Sequence, residues 1–238
     1  GPFGSEEVET IELGLRSELF NNRLILNLTA FTNDYTDKQE TIVTPGDGTI
    51  VVDGVPQNCG TTCTFVRNAG EVSIDGLEIE GTYIATERLT FRTAIGILDA
   101  SYDEFINNGV DVSDFAKLKM APDYTASLSW EYIAPTSRGE VIFAGTFSSK
   151  DDYYGTYDPE VYIFGPGADI ITDGESKLDL SLTYNTTTAG GTDLTFTVFG
   201  NDVLEDGAYI VRPFDAGAFA FATPQKRQHF GISLGVEF

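Results

Sequence analysis

An all-β fold, laid out as an antiparallel meander of about nine strands, is what this sequence predicts, on three observations. Apolar residues recur at every second position in segment after segment, the side-chain period of a β-strand. The connections between those segments alternate between short and long. No segment carries the apolar stripe of an amphipathic helix. In order, Ile11, Leu13 and Leu15 interleave with Glu12, Gly14 and Arg16. Asn21 and Asn22 then turn the chain into Leu24, Leu26, Leu28 and Ala30, which interleave with Asn27 and Thr29 while Ile25 breaks the pattern. A long connection near 46–65 leads to Leu77, Ile79 and Tyr83, set against Glu78, Glu80 and Thr82. After the short link Thr86-Glu87-Arg88, Leu89, Phe91, Ile95 and Ile97 share a face opposite Arg92, Ala94 and Gly96.

A second long connection, near 106–118, precedes Tyr124, Ala126, Leu128, Trp130 and Tyr132, which alternate with Thr125, Ser127, Ser129 and Glu131 up to the short link 136–139. Beyond a third, near 157–175, Leu178, Leu180, Leu182 and Tyr184 face away from Asp179, Ser181 and Thr183. Ala189-Gly190-Gly191 turns into Leu194, Phe196 and Val198, set against Thr195 and Thr197, and a fourth long connection near 212–226 follows. The chain closes on QHFGISLGVEF, where Phe230, Ile232, Leu234, Val236 and Phe238 oppose Gly231, Ser233, Gly235 and Glu237.

Short links on one edge and long ones on the other are the pattern of outer-membrane barrels, with tight turns on the periplasmic side and loops outside. The 238 residues carry 37 acidic and 14 basic side chains, a net charge of −23, which argues against a nucleic-acid partner, since phosphate contacts need a basic surface. Mean hydropathy is −0.09 and no apolar run approaches the ~18 residues of a spanning helix. That excludes helices, not membranes, because a spanning strand needs only alternate apolar residues. The polar faces carry Glu12, Arg16, Asn27, Glu78, Glu80, Arg92, Glu131 and Asp179, which suit a lumen, while the apolar faces would meet the lipid bilayer. Trp130 and Tyr132, just before a short turn, fit an interfacial aromatic girdle. The alternative is a soluble β-sandwich whose apolar faces pack on each other. GPFGSEEVET has neither a basic nor an apolar leader region, so either a signal peptide has been removed or the chain begins within a longer protein.

Candidate sites are few. Cys59 and Cys63 are expected to pair as a disulfide in an oxidising compartment. Their spacing alone does not make a zinc site, and the chain's single histidine, His229, is far away, so no metal is expected. There is no nucleophile elbow and no histidine cluster, and carboxylate pairs such as Glu78/Glu80 or Asp151/Asp152 read as solvated faces; no enzyme activity and no cofactor are expected. The stretch SKDDYYGTYDPEVYIFGPG gathers Tyr153, Tyr154, Tyr157, Tyr162 and Phe164 among Asp and Gly, a mix that suits a small-molecule ligand, with an aromatic girdle as the alternative. Asp151, Asp152, Asp158 and Asp173 in the same region lack the spacing of a calcium loop.

Six strings, in order, resemble the C-terminal half of the barrel of TonB-dependent outer-membrane receptors: ETIELGLRSELFNNRLILNLTAFTNDYTDKQ, VRNAGEVSIDGLEIEGTY, MAPDYTASLSWEY, SKDDYYGTYD, VFGNDVLEDGAY and FGISLGVEF. The resemblance implies that residues 1–238 form the C-terminal part of a larger transmembrane β-barrel, whose plug domain and N-terminal strands lie outside this chain. It implies Gram-negative outer-membrane localisation and active uptake of a scarce nutrient such as an iron–siderophore complex. The implied partners are the TonB complex, engaged through the N-terminal segment and plug, and the outer-membrane assembly machinery, which would read the last strand through Phe230 and Phe238. The alternatives are a small porin-like or adhesin-like barrel and a soluble carbohydrate-binding β-sandwich.

Overall fold

The computed structural model describes residues 3–45, 48–52, 55–59, 62–107, 109–155, 171–204, 209–213, 220–224 and 228–237; in 42–65 apart from Pro56, in 209–213 and in 220–224 only the backbone is described. In chain order the strands are β1 (Glu7–Leu19), β2 (Leu24–Pro45), β3 (Gly48–Val52), β4 (Val55–Cys59), β5 (Thr62–Thr86), β6 (Leu89–Asn107), β7 (Val110–Asp111), β8 (Tyr124–Thr136), β9 (Gly139–Lys150), β10 (Tyr153–Tyr154), β11 (Ile171–Thr172), β12 (Glu175–Thr187), β13 (Asp193–Asn201), β14 (Tyr209–Pro213), β15 (Ala220–Pro224) and β16 (His229–Glu237).

Nine of them form one antiparallel meander, β1-β2-β5-β6-β8-β9-β12-β13-β16, with β7 paired to the end of β6. The short links β1–β2, β5–β6, β8–β9 and β12–β13 fall on one edge, called the turn edge here. The long connections fall on the other and carry their own two-stranded ribbons, β3–β4, β10–β11 and β14–β15.

Register keeps the two faces distinct across the whole sheet. One hydrogen-bonded row reads Leu15, Leu28, Ile79, Ile95, Ala126; another reads Phe91, Trp130, Gly145, Leu180, Gly200, Phe230. Every partner in these rows lies on the apolar face, because antiparallel partners directly opposite each other point the same way. That face stays open: Leu13 is 78% exposed and Ile232 80%. Among the described residues no second sheet packs on it, so the sandwich arrangement, which buries such faces, is not the one adopted.

The strands run well past the alternating segments, most of all β2 and β5. Above Ala30 and Leu77 the apolar face ends, its positions passing to Thr32, Asp34, Asp75 and Ser73, while Ile74 and Val72 turn the other way into the core; the ladder continues, since backbone groups need partners whatever the side chains are. Register shifts near Tyr35 and Lys38, with Asp37 at φ 56°, interrupt this upper part of the β2–β5 pair.

Local chemistry sets the tight turns. Phe20, Asn21 and Asn22 all take left-handed conformations, which asparagine tolerates best among residues with a Cβ. Arg23 ties this turn to its neighbour by donating from Nε to the Ile84 carbonyl (3.0 Å) and from Nη2 to that of Ala85. In four direct cross-strand pairs among the described residues a large ring lies over its partner glycine: Phe31 over Gly76, Trp130 over Gly145, Phe199 over Gly231 and Phe230 over Gly200. In each, a Cβ on the glycine would run into the ring. Trp130 and Tyr132 lie on the apolar face toward the turn edge, in rows shared with Phe91 and Phe143.

The buried core is small and lies at the loop edge. Ala69, Val72, Tyr102, Phe105, Val112 and Ala116 form it, with Tyr35, Ile74 and Leu118 packed against them. Val72 and Phe105 are fully enclosed, and Phe105 stacks on Tyr102 with centroids 4.8 Å apart. The segment 109–121 folds over the ends of β5 and β6 to close this core.

Candidate functional site

The polar face gathers Glu12, Arg16, Glu78, Glu80 and Arg92 together with Asn27, Glu131 and Asp179, each at an odd step from the apolar positions of its strand. Asn27 lies between Arg16 and Glu80 in the ladder and donates to Glu80 Oε2 at 3.4 Å. The hydroxyls of Ser129 and Thr146 meet at 3.0 Å, as do those of Thr183 and Thr197. Asp179 accepts from the Asp202 backbone N–H at 2.7 Å. A groove of about 450 Å³ runs along this face, lined by Glu78, Glu80, Thr125, Ser127, Lys150, Glu175 and Lys177 among others.

Lys150, which lines the groove, also reaches the first of the tyrosines singled out in the sequence. Tyr153 and Tyr154 are half-buried and pair with Thr172 and Ile171. Tyr157 and Tyr162 lie outside the described residues, as do Phe164 and Asp158. Lys150 places its ammonium 5.1 Å from the centre of the Tyr153 ring, within cation–π range. Glu175 holds that lysine at 2.8 Å and Lys177 at 3.0 Å.

A second Lys–Glu–Lys group reaches Tyr154 through the backbone of Lys119. Glu40, on the extension of β2, is only 4% exposed. Its Oε1 accepts from Lys38 at 2.5 Å and from the Tyr102 hydroxyl at 2.7 Å, and its Oε2 lies 3.2 Å from Lys119. Burial pushes this carboxyl up, but the hydrogen bonds from Lys38 and Tyr102 and the ammonium charges of Lys119 and Lys38 outweigh it and hold the group below the usual carboxylate range. Lys119 bridges to Tyr154 through the backbone, and the Met120 N–H donates to the Tyr154 carbonyl at 2.8 Å.

Carboxylates crowd the base of the same loop. Partial burial and the charges of Asp151, Asp123 and Asp173 raise the Asp152 carboxyl above its usual range. Asp111 is held low instead, chiefly by the backbone N–H groups of Ser113 and Phe105, which donate to its Oδ1. Among the described residues no group of three or more His, Cys, Asp or Glu is arranged to hold a metal ion. His229 takes part in a 3.1 Å contact from Nε2 to the Asn201 amide and an edge contact with Phe199.

Sequence reasoning placed neither Lys–Glu–Lys group. The signal was present in "DKQET" and "GESKL", where Lys38/Glu40 and Glu175/Lys177 stand two residues apart, the spacing that puts opposite charges side by side on one strand face. What no local pattern could supply was the third member of each, Lys119 and Lys150, which arrives from another strand or loop. Cys59 and Cys63 lie on backbone-only segments, and Phe238 is outside the described residues. Phe230 is 68% exposed on the apolar face of the last strand.

A family model described as TonB dependent receptor-like, beta-barrel matches residues 1–203. A comparison with curated proteins gave no match. Among solved structures the chain is similar to the ferric yersiniabactin uptake receptor FyuA from Yersinia pestis, with a TM-score of 0.69 and 17% identity, over 100% of this chain and 31% of that one. It is similar to BauA, the ferric preacinetobactin receptor from Acinetobacter baumannii, with a TM-score of 0.62 and 17% identity, over 97% and 29%. For the pyoverdine outer membrane receptor FpvA from Pseudomonas aeruginosa PAO1 the TM-score is 0.65 and the identity 14%, over 98% and 30%. At these identities the likeness is one of fold, and the chain spans less than a third of the length of each of those proteins. The family match ends just after β13, and the structural likeness carries β16 as well. A nine-strand meander with two chemically opposite faces, short links on one edge and long ones on the other is a stretch of barrel wall, and the chain belongs to the TonB-dependent receptor-like β-barrel family.

Proposed function

We propose that residues 1–238 are the C-terminal part of the barrel of an outer-membrane receptor of a Gram-negative bacterium that takes up a scarce nutrient, such as an iron–siderophore complex, in a TonB-dependent way. The observation that carries this reading is the apolar face itself. On β6 it runs from Leu89 to Ile97 and then gives way to Asp99. At ~3.4 Å per residue and a strand tilt of ~40° that stretch stands ~23 Å tall, close to the ~25 Å apolar band of outer-membrane barrels. Aromatic residues, Tyr83, Phe91, Trp130 and Tyr132, mark the foot of the band, and Asp34, Asp75 and Asp99 mark its top.

In this reading the polar face with Glu12, Arg16, Glu78, Glu80 and Arg92 lines the lumen. The ligand is met at the loop edge by Tyr153 and Tyr154, with Tyr157 and Tyr162 in the same loop. TonB would engage the N-terminal segment and plug outside this chain, and chemistry on the ligand has no part. Phe230 and Phe238 would present the last strand to the assembly machinery, and Cys59 would pair with Cys63 outside the cell. The likeness to receptors named for ferric yersiniabactin, ferric preacinetobactin and pyoverdine supports iron–siderophore cargo over other nutrients.

The test is uptake of radiolabelled iron, supplied as each of a panel of ferric siderophores, by iron-starved cells carrying or lacking the full-length gene. Uptake of at least one complex that disappears with the gene, and also on deletion of the TonB protein, is the expected result. Uptake of none, with the protein present and folded in outer membranes as a band that shifts on boiling, would overturn the iron reading. A protein recovered from the soluble fraction would overturn the membrane reading.

A further inference from the structure

We propose that Glu40 is a positioning residue for the Tyr153–Tyr154 pair, acting on it through the 109–121 segment without touching a ligand itself; the inference rests on the reading that these tyrosines contact the ligand.

A carboxylate 4% exposed is costly unless several donors surround it. Glu40 has them, and they come from three elements: Lys38 on β2, Tyr102 on β6 and Lys119 on the 109–121 segment, while Arg67 on β5 is its cross-strand partner. Three strands, β5, β6 and β8, separate β2 from β9 in the sheet, so no ladder ties Glu40 to the loop that follows β9. The 109–121 segment spans that gap. It is stiff: Val112 donates to the Phe105 carbonyl at 2.8 Å, Ala116 to that of Val112 at 3.0 Å, and Val112 and Ala116 are buried in the core.

Lys119 is the joint. Its ammonium is drawn to Glu40 while its backbone bridges to Tyr154, and the next residue, Met120, donates to the Tyr154 carbonyl. Lys150, anchored by Glu175, covers the Tyr153 ring. Each tyrosine is thus tied to a lysine, Tyr153 through its ring and Tyr154 through its backbone, and each lysine is paired with a buried or nearly buried carboxylate. Preorganised aromatic contacts of this kind give affinity by lowering the ordering cost at binding.

Hydrogen exchange on the full-length receptor in detergent micelles tests the coupling without a ligand. Glu40→Gln, which keeps the shape and removes the charge, should speed exchange in peptides covering Met120 and Tyr153–Tyr154 by roughly tenfold, leaving the β12–β13 hairpin unchanged. Lys119→Met should do the same. The double variant should add nothing to either single change, because one interaction is removed only once. Faster exchange confined to Tyr102 and its neighbours, or additive effects in the double variant, would overturn the proposal; if one single variant does not assemble, the other decides. Uptake separates this from the reading it rests on. If Tyr153→Ala and Tyr154→Ala leave uptake of every ferric siderophore intact while the coupling is observed, Glu40 positions the tyrosines but the tyrosines do not meet the ligand.

Discussion

The wall of the sheet and the cap at its loop edge are built on opposite principles. In the wall, side chains on the apolar face are left open, with Leu13 at 78% and Ile232 at 80% exposure, and stability rests on the ladder and on whatever apolar medium meets that face. In the cap, Phe105 and Val72 are sealed inside a core of a few residues, and a charged group, Glu40, is sealed with them. The wall takes part of its stability from outside the chain, the cap all of its own from within it. A perturbation should therefore discriminate between the two sharply.

The largest effect is expected in the cap. Phe105→Ala removes a fully enclosed ring and should cost ~3–5 kcal/mol of local stability, opening 109–121 to protease while the wall hairpins keep their exchange protection. Loss of the whole barrel instead would mean that cap and wall fold as one unit. Next comes the wall itself. Leu182→Arg points a charge outward from the middle of the apolar band and should cost ~2–4 kcal/mol in a bilayer, read as loss of the heat-shifting band in outer membranes; Ser127→Arg, on the groove face, should leave that band in place. Equal loss from both would show that the two faces do not differ as described. A smaller effect is expected at the turn edge, where Asn22→Val forces a β-branched residue into φ 63° and should lower the midpoint of urea unfolding by the equivalent of ~1–2 kcal/mol.

The smallest signal is a pH dependence confined to the cap. Because the folded-state pKa of Glu40 lies below that of the unfolded chain, its contribution is present above the ordinary carboxylate range and lost as pH falls through the lowered value. A protonated Glu40 still shares a hydrogen bond with Tyr102, so acidification should loosen 109–121 without unfolding it. Proteolysis of that segment that increases on acidification in the wild type, and does not in Glu40→Gln, is the expected outcome.

The same contrast explains what could be read from the sequence. The wall is a matter of period two, and Leu178, Leu180, Leu182 and Tyr184 announce their shared face without any knowledge of their partners. The short links are equally local, since Asn21-Asn22 and Gly190-Gly191 are turn chemistry. The extensions of β2 and β5 were invisible because the apolar residues change face there, Ile74 and Val72 falling out of step with Leu77 and Ile79, so the pattern that marks the wall stops. The cap was invisible for a different reason. Glu40, Tyr102 and Lys119 are far apart in the chain, and only the fold of 109–121 brings them together. Tyr153 and Tyr154 were visible as a composition, but not as a pair each tied to a lysine.

The ring-over-glycine pairs bear on a kind of error that patterning alone cannot prevent. A slip of one residue between neighbouring strands turns every side chain to the wrong face and is strongly opposed. A slip of two restores the faces and would pass unnoticed by any rule of alternation. It would, however, carry Phe31 off Gly76 and Trp130 off Gly145, and set those rings against residues that have side chains of their own. Because such pairs occur on both faces and on hairpins well apart, they act as alignment marks, letting each strand find its place on the one before it by shape as well as by polarity.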